Sequence, residues 1–155
     1  MAQSLAKLWI HIIFSTKNRY PFLLDPMIRQ RVHAYIKAIC YKQNHDTAIV
    51  GGIEDHVHVL TILPKNIALS SFIEEIKKSS SKWIKTIDPH NETLKNFYWQ
   101  NGYGAFSVSR SNLESVKRYI QNQQAHHRKQ HFQDEFKEFL IQYDVAYKEA
   151  YLWNE

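Results

Sequence analysis

Strand-like and helix-like apolar segments follow one another along this chain in an order that few folds can accommodate. This order restricts the structure more than any other feature of the sequence. Val-, Ile- and Thr-rich runs predict strands at 8–16, 47–53 and 55–60 and a fourth ending near 109, and helical patterns cover 25–44 and 68–86. The order strand, helix, strand, strand, helix, strand is that of a ferredoxin-like sandwich. Right-handed crossovers place both helices on one face of a four-stranded antiparallel sheet. We therefore predict an α+β, ferredoxin-like (βαββαβ) fold whose other sheet face is free for a further element or a ligand.

Local chemistry marks the two predicted helices. Asp25-Pro26 places a favoured N-cap residue before a proline at the first helical position, and the helical pattern continues to about Asn44. The second helix runs from about Ala68 to Thr86, and one of its faces carries a cluster of lysines: Lys78, Lys82 and Lys85. A solvated face is the usual interpretation of such a cluster, and a surface that contacts phosphates is the alternative.

Two histidines stand in the third predicted strand, Asp55-His56-Val57-His58-Val59-Leu60. Because side chains alternate between the faces of a strand, His56 and His58 share one face while the two valines point into the core. Two imidazoles on one rigid face can bind a single metal ion. Taken alone, such a pair is more often two ordinary strand histidines.

A third helical segment begins near residue 111. Ser111-Asn112-Leu113-Glu114 matches a capping box, in which Ser is followed by Glu three residues later. Tyr119 and Gln123 are four residues apart and would lie one above the other beside the apolar stripe of this helix. Packing is the usual role of a tyrosine at such a position. The tail from 131 to 155 has a short helical pattern and is expected to pack on the domain or on a second chain.

Composition narrows the class of protein. The chain has 155 residues, 44% of them hydrophobic, which is enough for one domain with a core and short for two. A formal charge of +5 and 14% aromatic residues are compatible with a nucleic-acid partner. The single cysteine, Cys40, excludes an internal disulfide and a cysteine-based zinc site. The chain has neither a signal-peptide pattern nor an apolar run long enough to span a bilayer, so we expect a soluble, cytoplasmic protein without a membrane partner.

His56, His58 and the amide oxygen of Gln123 would give a divalent ion three protein ligands and leave coordination positions open. Nitrogen and oxygen ligands without thiolate suit Mn²⁺ or Mg²⁺ acting on a phosphate. The phenol of Tyr119, one helical turn away, could attack a phosphodiester while the ion stabilises the developing charge. The phosphotyrosine product would store the energy of the broken bond for rejoining a strand.

Several stretches resemble the HUH single-tyrosine transposases of the smallest bacterial insertion sequences, where HUH denotes His, a bulky apolar residue and His. The motif itself is His56-Val57-His58, and the stretch before the tyrosine helix is Trp99-Gln100-Asn101-Gly102-Tyr103-Gly104-Ala105-Phe106-Ser107. The family's tyrosine helix is resembled by the stretch Tyr119-Ile120-Gln121-Asn122-Gln123-Gln124-Ala125-His126-His127-Arg128. The family's tail is resembled by Phe132-Gln133-Asp134-Glu135-Phe136 and by Tyr151-Leu152-Trp153. These stretches follow the family's order over nearly the whole chain, so their combination is more specific than any one of them.

The resemblance implies one transposase domain over residues 1–155, with a core at about 5–110, a nucleophile helix at about 111–130 and a tail at 131–155. It implies that Tyr119 attacks single-stranded DNA and becomes linked to the 5′ phosphate, while His56, His58 and Gln123 hold Mg²⁺ or Mn²⁺. It also implies recognition of DNA hairpins at the element ends and a homodimer, in which Tyr119 acts in its own subunit or in the partner's. From their positions, we expect five basic residues to touch DNA: Lys17, Arg19, Lys78, Lys82 and Lys85.

Other functions are compatible with the same residues. A replication initiator or relaxase would share the HUH chemistry, although such proteins usually have longer chains with extra domains. A domesticated relative would act on repeated genomic hairpins. A non-catalytic ferredoxin-like protein that binds single-stranded nucleic acid would tolerate Tyr119→Phe, whereas an enzyme would not. A protein–protein adaptor would bind no nucleic acid and show no steep salt dependence.

Overall fold

The computed structural model describes residues 2–127 and 130–153, so Arg128 and the end of the expected tail lie outside the described residues. The sheet contains β1 (Trp9–Ser15), β2 (Ile49–Ile53), β3 (His56–Ile62) and β4 (Gly104–Ser107). The helices of the described ranges are α1 (Pro26–Asn44), α2 (Leu69–Ile84), α3 (Glu92–Lys95), α4 (Leu113–Gln121), α5 (Gln123–His126), α6 (Phe132–Gln142) and α7 (Glu149–Leu152). None of these helices is long and apolar enough to cross a membrane.

The four strands form one antiparallel sheet in the order β2-β3-β1-β4. This is the strand order of a ferredoxin-like fold, and the predicted α+β architecture is confirmed. β3 is buried along its whole length because it lies between two strands and under helices on both faces. β2 and β4 are the edges of the sheet.

Helices α1 and α2 cover one face of the sheet and enclose the main hydrophobic core. Val57 and Val59 of β3 are fully buried in that core, as strand alternation predicted. The predicted start of α1 is confirmed, since the Asp25 side chain accepts a hydrogen bond from the backbone N–H of Met27 at 2.9 Å.

The helices that follow β4 cover the opposite face. Ile120 of α4 is buried with Leu60 of β3, and Phe132 of α6 is buried with Ile13 and Phe106 of the sheet. The described part of the tail therefore packs on its own domain. It closes the sheet face that the strand and helix order left free.

Local structure differs from the sequence prediction at three places. The capping box is wrong, because the Ser111 hydroxyl bonds to that of Ser109 at 3.1 Å and Asn112 is the N-cap residue of α4. The segment predicted as one tyrosine helix is interrupted at Asn122, where φ −103 and ψ 22 separate α4 from α5. A short helix, α3, stands in the predicted polar connection, and the Asn91 side chain caps it.

Helix α4 approaches β2 closely at Gly51. A Cβ atom at this position would lie 2.4 Å from the backbone oxygen of Ile120 and 2.9 Å from its Cγ2 atom. Any side chain here would push the helix away from the sheet. The absence of a side chain at Gly51 thus sets the height of α4, which carries Tyr119, above the strands.

Candidate active site

His56 and His58 lie together on the sheet face that α4, α5 and α6 cover. Both side chains are fully buried, and their ring centroids are 5.1 Å apart. In the sheet register, Ser15 lies beside His56 and Gly51 lies beside His58. These small neighbours leave space above the sheet for the two imidazole rings.

A carboxylate orients the imidazole of His56. Nδ1 of His56 lies 2.8 Å from Oδ1 of Asp55, so Nδ1 carries the proton and donates it to the carboxylate. This tautomer leaves Nε2 with a free lone pair. Nε2 faces Oε1 of Gln123 at 3.2 Å. Two acceptors that face each other in this way are the arrangement of two ligands around one cation.

A second histidine orients the imidazole of His58. Nδ1 of His58 lies 2.8 Å from Nε2 of His11, and when His58 donates this bond its Nε2 is also a free lone pair. Burial lowers the pKa of His58 to about 4, and the contact with Glu135 opposes that effect only in part. The ring is therefore neutral near pH 7, which is the form that binds metal ions.

Gln123 reaches the two histidines from α5 and is 1% exposed. Its Nε2 atom lies 3.4 Å from the backbone oxygen of Tyr119, which orients the amide so that Oε1 faces His56. Tyr119 and Gln123 belong to separate helices, yet this contact keeps them one turn apart. The four residues that the sequence assigned to metal binding and nucleophilic attack are thus brought together.

Two residues that the sequence did not assign to the site enter it from the C-terminal part of the chain. Glu135 of α6 is 1% exposed. Its Oε1 atom lies 3.0 Å from Nε2 of His58, and its Oε2 atom lies 3.0 Å from Nε2 of His127. His56, His58, His127 and Glu135 each offer one ligand atom, and these atoms lie within 4.8 Å of one another. Buried nitrogen and oxygen donors converging on one point can hold a divalent metal ion.

The phenol of Tyr119 lies at the edge of the same cluster. Its hydroxyl donates a hydrogen bond to Oε2 of Glu135 and lies 3.3 Å from Nε2 of His126. Burial, followed by the negative charge of Glu135, raises the pKa of Tyr119 well above its usual range. The phenol is therefore protonated at neutral pH and has an acceptor for its proton in direct contact.

Three of the five predicted DNA-binding residues lie on one surface. Lys17 and Lys85, which are distant in the sequence, both lie over the ring of Tyr98, with Nζ 5.7 and 4.2 Å from its centroid. Lys78 is exposed on α2 and lines a groove of about 360 Å³ together with Tyr98 and Tyr103. This surface combines positive charge with exposed aromatic rings.

The other two predicted basic residues lie apart from that groove lining. The guanidinium of Arg19 stacks over the ring of Trp153 at 5.5 Å, beside the C-terminal part of the chain. Lys82 is exposed on α2 and does not line the groove. Arg19 is thus the member of the predicted set that contacts the C-terminal part of the chain.

Lys77 supports the groove, and sequence reasoning did not single it out. Its ammonium group donates hydrogen bonds to the backbone oxygens of Gln100, at 2.8 Å, and Gly102. Burial lowers the pKa of Lys77 to about 8. Lys77 therefore holds the segment that presents Tyr98 and Tyr103.

Two of the residues missed in the sequence, Glu135 and His11, share one signal, which is a polar side chain on an otherwise apolar face. Glu135 follows Phe132 by three residues and precedes Phe139 by four, so it lies on the apolar stripe of its helix. His11 stands within the apolar run of the first strand. Polar groups at such positions are costly unless they are partnered, so each predicts a partner across the fold.

A family model described as "Transposase IS200 like" matches residues 4–123. The matched region extends from before β1 to the start of α5 and includes His56, His58 and Tyr119. The chain therefore belongs to the IS200-like transposase family, and the resemblance drawn from the sequence is confirmed. A search of curated proteins finds no match.

Two solved structures are similar in fold. A candidate transposase from Deinococcus radiodurans R1 is 23% identical, with a TM-score of 0.59 over 79% of this chain and 95% of that one. A REP-associated tyrosine transposase bound to a REP hairpin is 18% identical, with a TM-score of 0.55 over 82% of this chain and 74% of that one. At these identities the likeness establishes a common fold.

Proposed function

We propose that this transposase nicks and rejoins single-stranded DNA at element ends through a 5′-phosphotyrosine intermediate formed on Tyr119. The observation that carries the proposal is the position of the Tyr119 hydroxyl, which is in hydrogen-bond contact with the buried cluster containing His56 and His58. A nucleophile beside a group of metal-ligand atoms is the arrangement that phosphodiester cleavage by a tyrosine requires.

In the cleavage step, the phenolic oxygen of Tyr119 forms a bond to the phosphorus atom, and the bond between phosphorus and the 3′ oxygen breaks. The phenolic proton passes to Oε2 of Glu135, which already accepts its hydrogen bond. The leaving 3′ oxygen takes a proton from water and becomes a 3′ hydroxyl. In rejoining, a 3′ hydroxyl attacks the phosphotyrosine and releases the phenol, so no external energy source is needed.

His56, His58 and Gln123 are proposed to hold Mg²⁺ or Mn²⁺. Support comes from the Nε2 lone pair of His56, which faces the amide oxygen of Gln123, and from the neutral ring of His58. A divalent ion bound there supplies positive charge to the phosphate oxygens as the transition state forms. Asp55 fixes the tautomer of His56 that this binding requires.

The substrate is proposed to be single-stranded DNA with hairpins. The REP-associated relative is bound to a hairpin, and this chain carries positive charge beside exposed aromatic rings at Lys17, Lys85 and Tyr98. Lysines contact phosphates and aromatic rings stack on unpaired bases. Lys78, Lys82 and Arg19 are proposed as further phosphate contacts.

A homodimer is proposed from the family. Within one chain, the Tyr119 ring lies 5.7 Å from the His58 ring, measured between centroids. This contact supports attack by Tyr119 at the metal site of its own subunit.

The experiment that tests the proposal is an adduct assay. The protein is incubated with Mn²⁺ or Mg²⁺ and single-stranded DNA spanning the ends of its own locus, and a denaturing gel separates any covalent protein–DNA adduct. Tyr119→Phe should abolish the adduct, whereas Tyr41→Phe, at an exposed position on α1, should retain it. An adduct that forms in EDTA or in Tyr119→Phe would contradict the proposal.

A non-catalytic binder of single-stranded nucleic acid is the second candidate function, because Tyr98 and Tyr103 are 54% and 41% exposed beside lysines. Such a protein would bind hairpin DNA tightly in both wild type and Tyr119→Phe and form no adduct with either. That outcome would replace the catalytic proposal.

A further inference from the structure

Helix α6 packs tightly on the sheet and places the carboxylate of Glu135 at the histidine cluster. Phe132 and Leu140 of this helix belong to a buried hydrophobic cluster on the sheet. At Gly104 of β4, a Cβ atom would lie 2.6 Å from the ring of Phe136, so the helix is seated against the strand without space for another side chain. Glu135 lies between these anchors and is held by packing on both sides.

Both oxygens of Glu135 face imidazole nitrogens. Oε1 lies 3.0 Å from Nε2 of His58 and 3.6 Å from Nε2 of His56. Oε2 lies 3.0 Å from Nε2 of His127. Two ligands at right angles around an ion, each about 2.1 Å from it, are about 3.0 Å apart. The two contacts of 3.0 Å that Glu135 makes with imidazole nitrogens match this spacing.

The contact between His127 and Glu135 lacks hydrogen-bond geometry. Nε2 of His127 is buried without a hydrogen-bond partner in the part of the chain that the structure describes, although Oε2 is 3.0 Å away. Nε2 of His56 is a lone pair because Nδ1 donates to Asp55. A lone pair such as that of His56 repels a nearby carboxylate, and a cation between the two removes this repulsion.

We infer that Glu135 is the anionic ligand of the divalent ion and that His127 is a further nitrogen ligand, which makes helix α6 part of the active site. This inference rests on the proposed metal-dependent function and extends its ligand set beyond His56, His58 and Gln123. A carboxylate in the coordination shell offsets the positive charge that a buried ion brings into a cluster of imidazoles. It also couples the ion to the nucleophile, since the same carboxylate contacts the Tyr119 hydroxyl.

Mn²⁺ binding to the full chain tests the inference without DNA or activity. Free Mn²⁺ gives an electron paramagnetic resonance signal that is lost on binding, so a titration yields the dissociation constant. Glu135→Gln should weaken binding about tenfold or more, and His127→Gln should weaken it about tenfold. Asp134→Asn makes the same change of charge at an exposed position of the same helix and should leave binding unchanged.

A spectroscopic readout on the wild-type protein keeps the test independent of variant folding. Electron spin echo modulation of bound Mn²⁺ should detect three imidazole nitrogens, and protein labelled with ¹³C in the glutamate carboxyl group should show a coupling from a directly bound carboxylate. Absence of the ¹³C coupling would overturn the assignment of Glu135. Detection of two nitrogens would overturn that of His127.

The outcomes separate this inference from the function on which it rests. If Glu135→Gln binds Mn²⁺ as tightly as wild type while His56→Ala has lost binding, the inference is overturned and the proposed function stands. If wild type binds no Mn²⁺, or binds it no more tightly than His56→Ala, the metal-dependent function itself is contradicted.

Discussion

Nε2 of His11 lies 2.8 Å from Nδ1 of His58, and this contact joins the two central strands beneath the proposed metal site. His11 is 2% exposed, and burial, followed by the proximity of His58, lowers its pKa well below the usual range. The ring is therefore neutral at pH 7 and can accept the Nδ1 proton of His58. His11 is thus a positioning residue, because when its Nε2 accepts the Nδ1 proton of His58, Nε2 of His58 is left free.

Replacing His11 should weaken metal binding through His58. We expect His11→Phe to raise the dissociation constant for Mn²⁺ about 10- to 100-fold, because loss of a partner that orients a ligand typically has this effect. His11→Gln retains an acceptor and should recover part of the affinity. A Mn²⁺ titration followed by electron paramagnetic resonance measures both variants. Equal affinity in His11→Phe and wild type would mean that His58 needs no partner.

Gly51→Ala should displace α4 and misplace Tyr119. The added Cβ would lie 2.4 Å from the backbone oxygen of Ile120, so we expect a loss of about 1–3 kcal/mol in the free energy of unfolding and a marked loss of adduct. Gly102→Ala is the control, because a Cβ atom added there would meet no atom within 4 Å. Gly102 has φ of +87, so this variant should lose about 1 kcal/mol in the free energy of unfolding through backbone strain. Urea unfolding and the adduct assay measure the two effects. A fully active Gly51→Ala protein would contradict the seating of α4.

The stability of the protein should fall on acidification, in part through His33. Burial, with smaller contributions from Arg29 and His56, lowers the pKa of His33 to about 4, and its Nε2 atom is buried without a hydrogen-bond partner among the described residues. Because the folded pKa lies below the unfolded value of 6.5, the unfolded state binds more protons as the pH falls from 6.5 to 4, and stability is lost in that window.

His33→Leu should reduce this loss by about 2 kcal/mol between pH 7 and pH 5, since one pKa unit corresponds to about 1.4 kcal/mol. Urea unfolding at the two pH values measures the difference. His90→Gln, at an exposed loop position, should leave the pH dependence unchanged. If His33→Leu and wild type lose stability equally, His33 takes up its proton in the folded state without cost.

Lys85→Gln should reduce the salt dependence of DNA binding. If Lys85 neutralises one phosphate, the slope of log affinity against log salt should decrease by about 0.7 for single-stranded DNA. Fluorescence anisotropy with a labelled hairpin over a series of salt concentrations measures the slope. Lys42→Gln, exposed on α1, serves as the control of equal charge change. Identical slopes for the two variants would remove Lys85 from the DNA-binding surface.

A mixture of two inactive variants should decide which subunit supplies the nucleophile. If Tyr119 attacks at the metal site of its own chain, Tyr119→Phe retains only an intact metal site and His56→Ala retains only an intact tyrosine. We therefore expect the mixed proteins to form no adduct. Adduct formation by the mixture, with neither variant active alone, would place Tyr119 in the partner's site.

Local patterns in the sequence predicted the parts of this protein that depend on near neighbours. Strand alternation alone places His56 and His58 on one face, because successive side chains of an extended chain point in opposite directions. Asp25-Pro26 marks the start of α1, because N-cap chemistry involves only the first turn. The order of the elements gave the sheet topology, since right-handed crossovers leave few alternatives.

Contacts between distant segments decided the rest. Glu135 follows His58 by 77 positions, and only the packing of α6 on the sheet brings its carboxylate to the imidazole. The capping box at Ser111 does not form, because Asn112 is the N-cap residue of α4 and the Ser111 hydroxyl bonds to that of Ser109. Periodicity and capping describe the few residues around a position, whereas a buried polar cluster is assembled by burial of apolar faces far apart in the chain. The sequence therefore determined the strand that carries the two histidines, and the tertiary structure determined which residues complete the site around them.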